Sequence, residues 1–421
     1  MRHRAGAQPR APRHRVRPGA RVLAAAALSA AVLAGGCGSS SPSAGGSGPT
    51  TTLGVLTEVT GLGASADRSS VQGVEAGIAE LTPPGTHIRY VVADTATTPA
   101  GTLAAAQKLV EADHVDAVVA VSALTFAASQ YLTSRGVPVI GSDQDGPEWL
   151  TSANMFSVFG RQDTGRVATT VGDFMKMEGV TNVGTLGYSI SPLSALAART
   201  YAASARAAGL KTSYVNPGFP FGSTNVQPVA LAMKADGVQG WTATVEPSTG
   251  LALVAALRQI DAPVKVALLP TGYGGDLLQG GPQAVQGAQG VYFMLTFEPV
   301  EMHTAATRRF VDALRKAGVS GEPTFAEYLG YASVALYVQG LEAAGQGAGH
   351  ARLIAALSRI RGFDAAGLLG THTIDMSLSS TYVGGPDGCA YMTKLIGQAF
   401  QLVPGADPIC GPPVAGLRYS P

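Results

Sequence analysis

Apolar residues in this chain recur with two periods. The short runs LGVL (Leu53–Leu56), RYVVAD (Arg89–Asp94), DAVVAV (Asp116–Val121) and VPVIGS (Val137–Ser142) are continuous rather than alternating. Such runs read as strands buried on both faces. Between them, Val71, Val74, Ile78 and Leu81 recur at helical spacing, as do Leu103, Ala106, Leu109 and Val110 after Pro99. Strand, helix, strand, repeated, predicts a parallel sheet with helices on both faces. The pattern then restarts with NVGTLGY (Asn182–Tyr188), a helix through LSALAARTYAASARAAG, GWTATV (Gly240–Val245), a helix through LALVAALRQI, VKVALLP (Val264–Pro270) and GVYFMLTF (Gly290–Phe297). Three helical stretches follow, near Ala305–Ala317, Phe325–Ala344 and Ala351–Ile360. The expectation is an α/β protein of two doubly wound parallel-sheet lobes. Phe156–Asp163 and Phe297–His303 read as crossings between them, with a ligand cleft between the lobes.

The front of the chain does not follow either period. Seven arginines precede an apolar run, VLAAAALSAAVLA (Val22–Ala34), and small residues then lead to Cys37. Thirteen residues are too few to span a bilayer, which takes about 20. The arrangement fits a secretory signal over residues 1–36. Residues 37–50, rich in Gly and Ser, fit a flexible tether. Small residues before a cysteine resemble the lipobox of bacterial lipoproteins, with Ala34 where that family prefers Leu. The resemblance implies that Cys37 becomes a lipid-bearing N-terminus.

Charge changes the picture once this segment is set aside. The whole chain carries +1, but its first 36 residues hold seven arginines and no acid, so the remainder carries −6. An acidic mature protein gives no electrostatic reason to bind nucleic acid. At 46% hydrophobic and 14% charged, the body of the chain has the composition of a folded protein. Two cysteines remain, Cys389 and Cys410, flanking the strand-like AYMTKLIGQAF. Export to an oxidising compartment predicts that they form one disulfide.

In open parallel sheets, ligands bind at the carboxyl ends of strands. In the first half that rule selects Ser122 to Thr125, after DAVVAV, and Ser142, Asp143, Gln144 and Asp145, after VPVIG. In the second half it selects Tyr188, Glu246 to Thr249, and Tyr273 to Asp276. Glu246 or Asp276 could meet a ligand ammonium, and Tyr273 could cover an apolar part. Catalytic patterns are weak. GYSIS (Gly187–Ser191) lacks the closing Gly of a nucleophile elbow. No phosphate-cradling Gly-Lys-Ser/Thr loop and no His-Glu-x-x-His occurs, and the seven histidines are scattered. GYGGDLLQGG has no dinucleotide-binding spacing. No enzyme, cofactor or metal is expected.

Several stretches together resemble the type I periplasmic-binding-protein family, in its leucine/isoleucine/valine-binding branch. LGVLTEVTGLGASADRSSVQGVEAGI is similar to the family's opening strand, Thr-Gly loop and helix with a central Gly. ADTATTPAGTLAAAQKLVEADHVDAVVAVSALT is similar to its Asp-containing turn, following helix, and strand feeding a Ser-containing loop. AEYLGYASVALYVQGLEAAG resembles the long helix of its returning segment. The resemblance implies a multi-strand hinge, a first lobe of residues 51–158 plus 300–372, and a second of 159–299 plus 373–421. It places Ser122 where the family has a ligand-binding serine. It implies an exported monomer, held on the outer face of the cell membrane through its lipid anchor. There it would capture a small polar solute, an amino acid or related amide or amine, for an ABC permease. A ligand-sensing lipoprotein reporting to a signalling partner is the alternative. The chain departs from the family at Ala66, where an aromatic often covers the ligand, at Pro192-Leu193 and at Gly165-Arg166. Two acids in the first-lobe loop would repel a free carboxylate, which leaves a cationic, amide or hydroxylated solute open.

Overall fold

The computed structural model describes residues 50–142, 146–345 and 347–420. The signal, Cys37 and the tether up to residue 49 lie outside the described residues, as do Asp143, Gln144 and Asp145.

The first lobe is built in chain order from β1 (Thr50–Thr57), α1 (Ala64–Asp67), α2 (Ser70–Leu81), β2 (His87–Asp94), α3 (Pro99–Glu111), β3 (Ala117–Val121), α4 (Phe126–Ser134), β4 (Val139–Gly141), α5 (Glu148–Thr151) and β5 (Met155–Ser157). Its five strands are parallel, in the order β2-β1-β3-β4-β5. All five residues of β3 are buried, as a continuous apolar run between two helical layers requires.

The second lobe follows with β6 (Arg166–Ala168), α6 (Thr170–Met177), β7 (Asn182–Tyr188), α7 (Pro192–Ala207), β8 (Lys211–Phe219), α8 (Gln227–Ala235), β9 (Gly240–Thr244), α9 (Pro247–Gln259), β10 (Val266–Leu269), α10 (Gly275–Leu278), α11 (Gly281–Gly287) and β11 (Tyr292–Leu295). The chain then supplies α12 (Ala305–Lys316), α13 (Phe325–Ala344) and α14 (His350–Leu357) to the first lobe. It returns through β12 (Cys389–Ile396), β13 (Ala399–Leu402), β14 (Ile409–Cys410) and β15 (Pro413–Arg418). The second sheet runs β13-β12-β11-β10-β9-β7-β8. It is parallel from β8 to β11 and antiparallel at β12 and β13, a departure from the wholly parallel lobe the sequence pattern predicts. β12 runs against β11 because the chain re-enters this lobe beside the end of β11, and β13 runs against β12 because AYMTKLIGQAF folds as a hairpin, whose short turn allows only antiparallel pairing.

Cys389 and Cys410 are disulfide-bonded. They sit directly opposite one another on β12 and β14, so the bond ties the tail to the sheet edge beyond the hairpin.

Helix α13 starts with a capping box. The Thr324 hydroxyl accepts from Glu327 N–H, while the Glu327 carboxylate accepts from Thr324 N–H. It lies against α2 at a contact that two glycines allow. A Cβ on Gly73 would stand 2.2 Å from the Glu327 carbonyl oxygen, and one on Gly330 would stand 2.3 Å from that of Ser70.

Crossings between the lobes run beside one another. Asp163 N–H donates to the Tyr382 carbonyl at 2.8 Å, and Tyr382 N–H to that of Arg161 at 3.0 Å. Glu298 N–H donates to the Leu368 carbonyl at 2.8 Å, and the Phe159 and Phe297 rings pack 5.0 Å apart. These contacts anchor the ends of the strands that face the cleft. No helix among the described residues is long and apolar enough to cross a membrane.

Candidate functional site

The carboxyl end of β3 in one lobe, and those of β7, β9, β10 and β11 in the other, converge on a cavity of about 310 Å³. Ala123, Phe159 and Phe325 line it from the first-lobe side. The second lobe supplies Tyr188, Phe221 and Glu246 at the cleft. From there the cavity continues along one face of α7, past Leu193, Ala197 and Tyr201.

Glu246 lies two residues past β9 and caps α9 without spending its side chain on the helix. Its backbone N–H donates to the Tyr188 hydroxyl at 3.1 Å. That hydroxyl donates to Thr249 at 2.7 Å, and the Thr249 hydroxyl donates to the Ser223 carbonyl at 2.9 Å. The relay holds the loop, and burial pushes the Tyr188 hydroxyl up to about 12. The Glu246 carboxyl itself has an oxygen, Oε2, with no partner among the described residues, although only 5% of the residue is exposed. Burial, and then the charges of Glu58 and Asp276, push its pKa up to about 8.

Three further carboxyls stand near it. Glu58 lies one residue past β1, wholly buried. Its Oε1 accepts from the Ser122 hydroxyl at 2.8 Å and from Ala123 N–H at 3.1 Å. Its other oxygen, Oε2, and Asp67 Oδ2, also buried, have no partner among the described residues, and the two carboxyls act on one another. Burial raises Glu58, and raises Asp67 strongly with help from the Glu58 charge. Asp276, half-buried on α10, accepts from Phe325 N–H at 3.4 Å. Burial holds it well above the usual carboxylate range.

The structure sends the sequence-selected residues to different places. Glu246 lines the cavity, and Thr249 and Asp276 support or face it. Ser122 and Thr125 sit at the end of β3 with their hydroxyls turned inward, Ser122 to Glu58 and Thr125 to the Ser122 carbonyl at 3.0 Å. Ser142 is buried, and its hydroxyl has no partner among the described residues. Tyr273 lies apart, in the core. Its hydroxyl donates to Glu301 and accepts from Val300 N–H, and its ring packs 4.9 Å from Phe400. Asp143, Gln144 and Asp145 lie outside the described residues.

Sequence reasoning passed over Glu58 and Asp67. The strand-end rule applied to LGVLTE would have found Glu58, one residue beyond the first strand. Phe159, Phe325, Thr244 and Thr296 also line the cavity, and no local motif marks them. His372 lies beside Cys389 and Cys410, but both sulfurs are spent on each other and leave no metal-ligand set.

Two α/β lobes hinged over a cavity at their strand ends define a class of solute-binding proteins. A family model described as periplasmic binding protein matches residues 50–398, and the chain belongs to that family. Its relatives in that family are binding proteins rather than enzymes, and they work outside the cytoplasm. The comparison with curated proteins finds no match. Among solved structures, the chain is similar to a leucine-binding protein from Thermotoga maritima, at 16% identity and a TM-score of 0.70. The match covers 84% of this chain and 97% of that one. It is also similar to a solute-binding protein of an ABC transporter from R. palustris in complex with 4-hydroxybenzoate, at 18% identity and a TM-score of 0.70, covering 84% and 95%. A third is a solute-binding protein from Rhodopseudomonas palustris BisB5 in complex with 3,4-dihydroxybenzoic acid, at 21% identity and a TM-score of 0.67, covering 82% and 93%. At these identities the likeness establishes the type I periplasmic-binding-protein fold.

Proposed function

We propose that this chain is an extracytoplasmic solute-binding lipoprotein. It captures a small polar solute, an amino acid or related amide or amine, between the loop that follows β3 at Ala123 on one lobe and Glu246 on the other. It then delivers the solute to an ABC permease. The observation that carries this reading is the cavity between the lobes, with a buried carboxyl on its wall that the protein leaves unpartnered. Binding closes the lobes about the crossings and removes the solute from water. A buried oxygen with no donor costs stability, and a ligand donor returns that cost on binding.

Anchoring at Cys37 is part of the same proposal. One acyl chain holds a protein to a membrane only marginally, whereas two hold it firmly. Cys37→Ala should release the protein into the medium, and a variant that stays membrane-bound would remove the anchor. Native mass spectrometry of the purified protein should show a carried-over small molecule that leaves on denaturation. Deleting the gene should then abolish uptake of that molecule. Uptake unchanged in the deletion strain would rule out delivery.

A further inference from the structure

The cavity extends beyond Glu246 into the second lobe. From Glu246 it runs between α6 and α7, where Leu193, Ala197 and Tyr201 recur at every fourth residue along one helix face. Val167, Val171 and Met294 close the other side. These six side chains give this part of the wall an apolar stripe, with Ser194, Thr200 and Thr170 at its margins.

The polar groups gather at the other end. Glu246 Oε2, Thr244 Oγ1 and Thr296 Oγ1 all lack partners among the described residues, and all three residues line the cavity. The charges of Glu58 and Asp276 act on Glu246 there, and Tyr188 and Phe221 place aromatic faces beside it, their rings 4.9 Å apart. The one basic residue in the lining is Arg166, which stands exposed on β6. A cation beside Glu246 supplies the donor that Oε2 lacks, favours the ionised form of that one carboxyl, and gains from the aromatic faces. A carboxylate at the same place would bring no donor to Glu246 Oε2, and Arg166 is the one basic residue in the lining to offset its charge.

Building on the solute-binding reading, we propose that the ligand is an organic cation with a single protonated amine and an elongated apolar body. The ammonium sits at Glu246, between Thr244 and Thr296, and the body lies along the inner face of α7.

Titration calorimetry of the purified protein tests this with four probes of matched size: phenethylamine, n-octylamine, 3-phenylpropanoate and n-octanoate. The amines should bind at least tenfold more tightly than the carboxylates. Glu246→Gln keeps the shape and removes the charge, so amine affinity should fall about 10- to 150-fold, the size of one charge-assisted hydrogen bond. Ala197→Leu narrows the α7 groove far from the head. It should weaken n-octylamine while leaving methylamine, a fifth probe that carries the head alone, unaffected. Amines that bind no more tightly than the carboxylates overturn the proposal, as does a Glu246→Gln variant with unchanged amine affinity. Carboxylates bound in preference would discard the cation and leave solute capture standing. Capture itself fails if native mass spectrometry finds no cargo and no probe of either charge binds.

Discussion

Glu246→Gln should stabilise the ligand-free protein, and by an amount that depends on pH. In the unfolded chain this carboxyl titrates near its ordinary value of 4.5, whereas in the folded protein burial and neighbouring acids raise it to about 8. A raised carboxyl contributes its full share of stability below the unfolded value. That share is lost as pH rises, because the unfolded chain then releases a proton that the folded protein retains. Each unit of pH in that window costs about 1.4 kcal/mol. At pH 7 the window has been climbed by 2.5 units, from 4.5, so wild type carries a penalty of about 3 kcal/mol at this one residue. Above about 8 the penalty stops growing. Glutamine does not titrate. The stability difference between variant and wild type should therefore be small near pH 4.5 and grow steadily to about pH 8. Glu58, Asp67 and Asp276 are raised in the same direction, and Glu246 is itself one of the charges that raise Asp67, so the difference reads Glu246 together with its coupling to these acids. Denaturant titrations of both ligand-free proteins across that range read it directly. A difference that stays flat with pH would refute the account of a buried, uncompensated acid. A difference of opposite sign would show that the protein itself supplies the missing partner.

Three other outcomes follow from the packing. Gly73→Ala should cost at least the upper part of the ~1–3 kcal/mol typical of overpacking, because the new methyl meets Glu327 backbone rather than a movable side chain. A melting temperature within one degree of wild type would exclude the close α2–α13 approach. Reduction of Cys389–Cys410, which closes a loop of 21 residues, should lower stability by about 3 kcal/mol, as read by unfolding with and without reductant. Equal midpoints would mean the tail stays docked without the bond. Ser122→Ala should lower the stability of the ligand-free protein by about 1–3 kcal/mol, because it takes a donor from the buried Glu58 carboxyl. If only ligand affinity falls, the serine faces the solute instead.

The two-lobe α/β order was legible in the sequence because it is local. Continuous apolar runs such as DAVVAV can be satisfied only by burial on both faces, and helical spacing between them sets the crossovers. The strand-end rule reached Glu246 for the same reason, since a strand's end is visible in its own sequence. The disulfide was legible from export and from a count of two.

What the sequence could not decide is how its parts meet. The Ser122 hydroxyl turns toward Glu58, 64 residues earlier in the chain, and nothing near DAVVAVS encodes that partner. Tyr273 lies at a strand end as the rule requires, yet Glu301 and Phe400 draw it into the core. The antiparallel edge of the second sheet depends on which strand the C-terminal hairpin joins. The four acids that set the character of the cleft are spread from Glu58 to Asp276. Each is an ordinary surface-type residue in its own stretch of sequence. Only when two lobes bring them to one water-poor place do their charges act on one another, because Coulomb interaction depends on distance and dielectric, neither of which is written in sequence order.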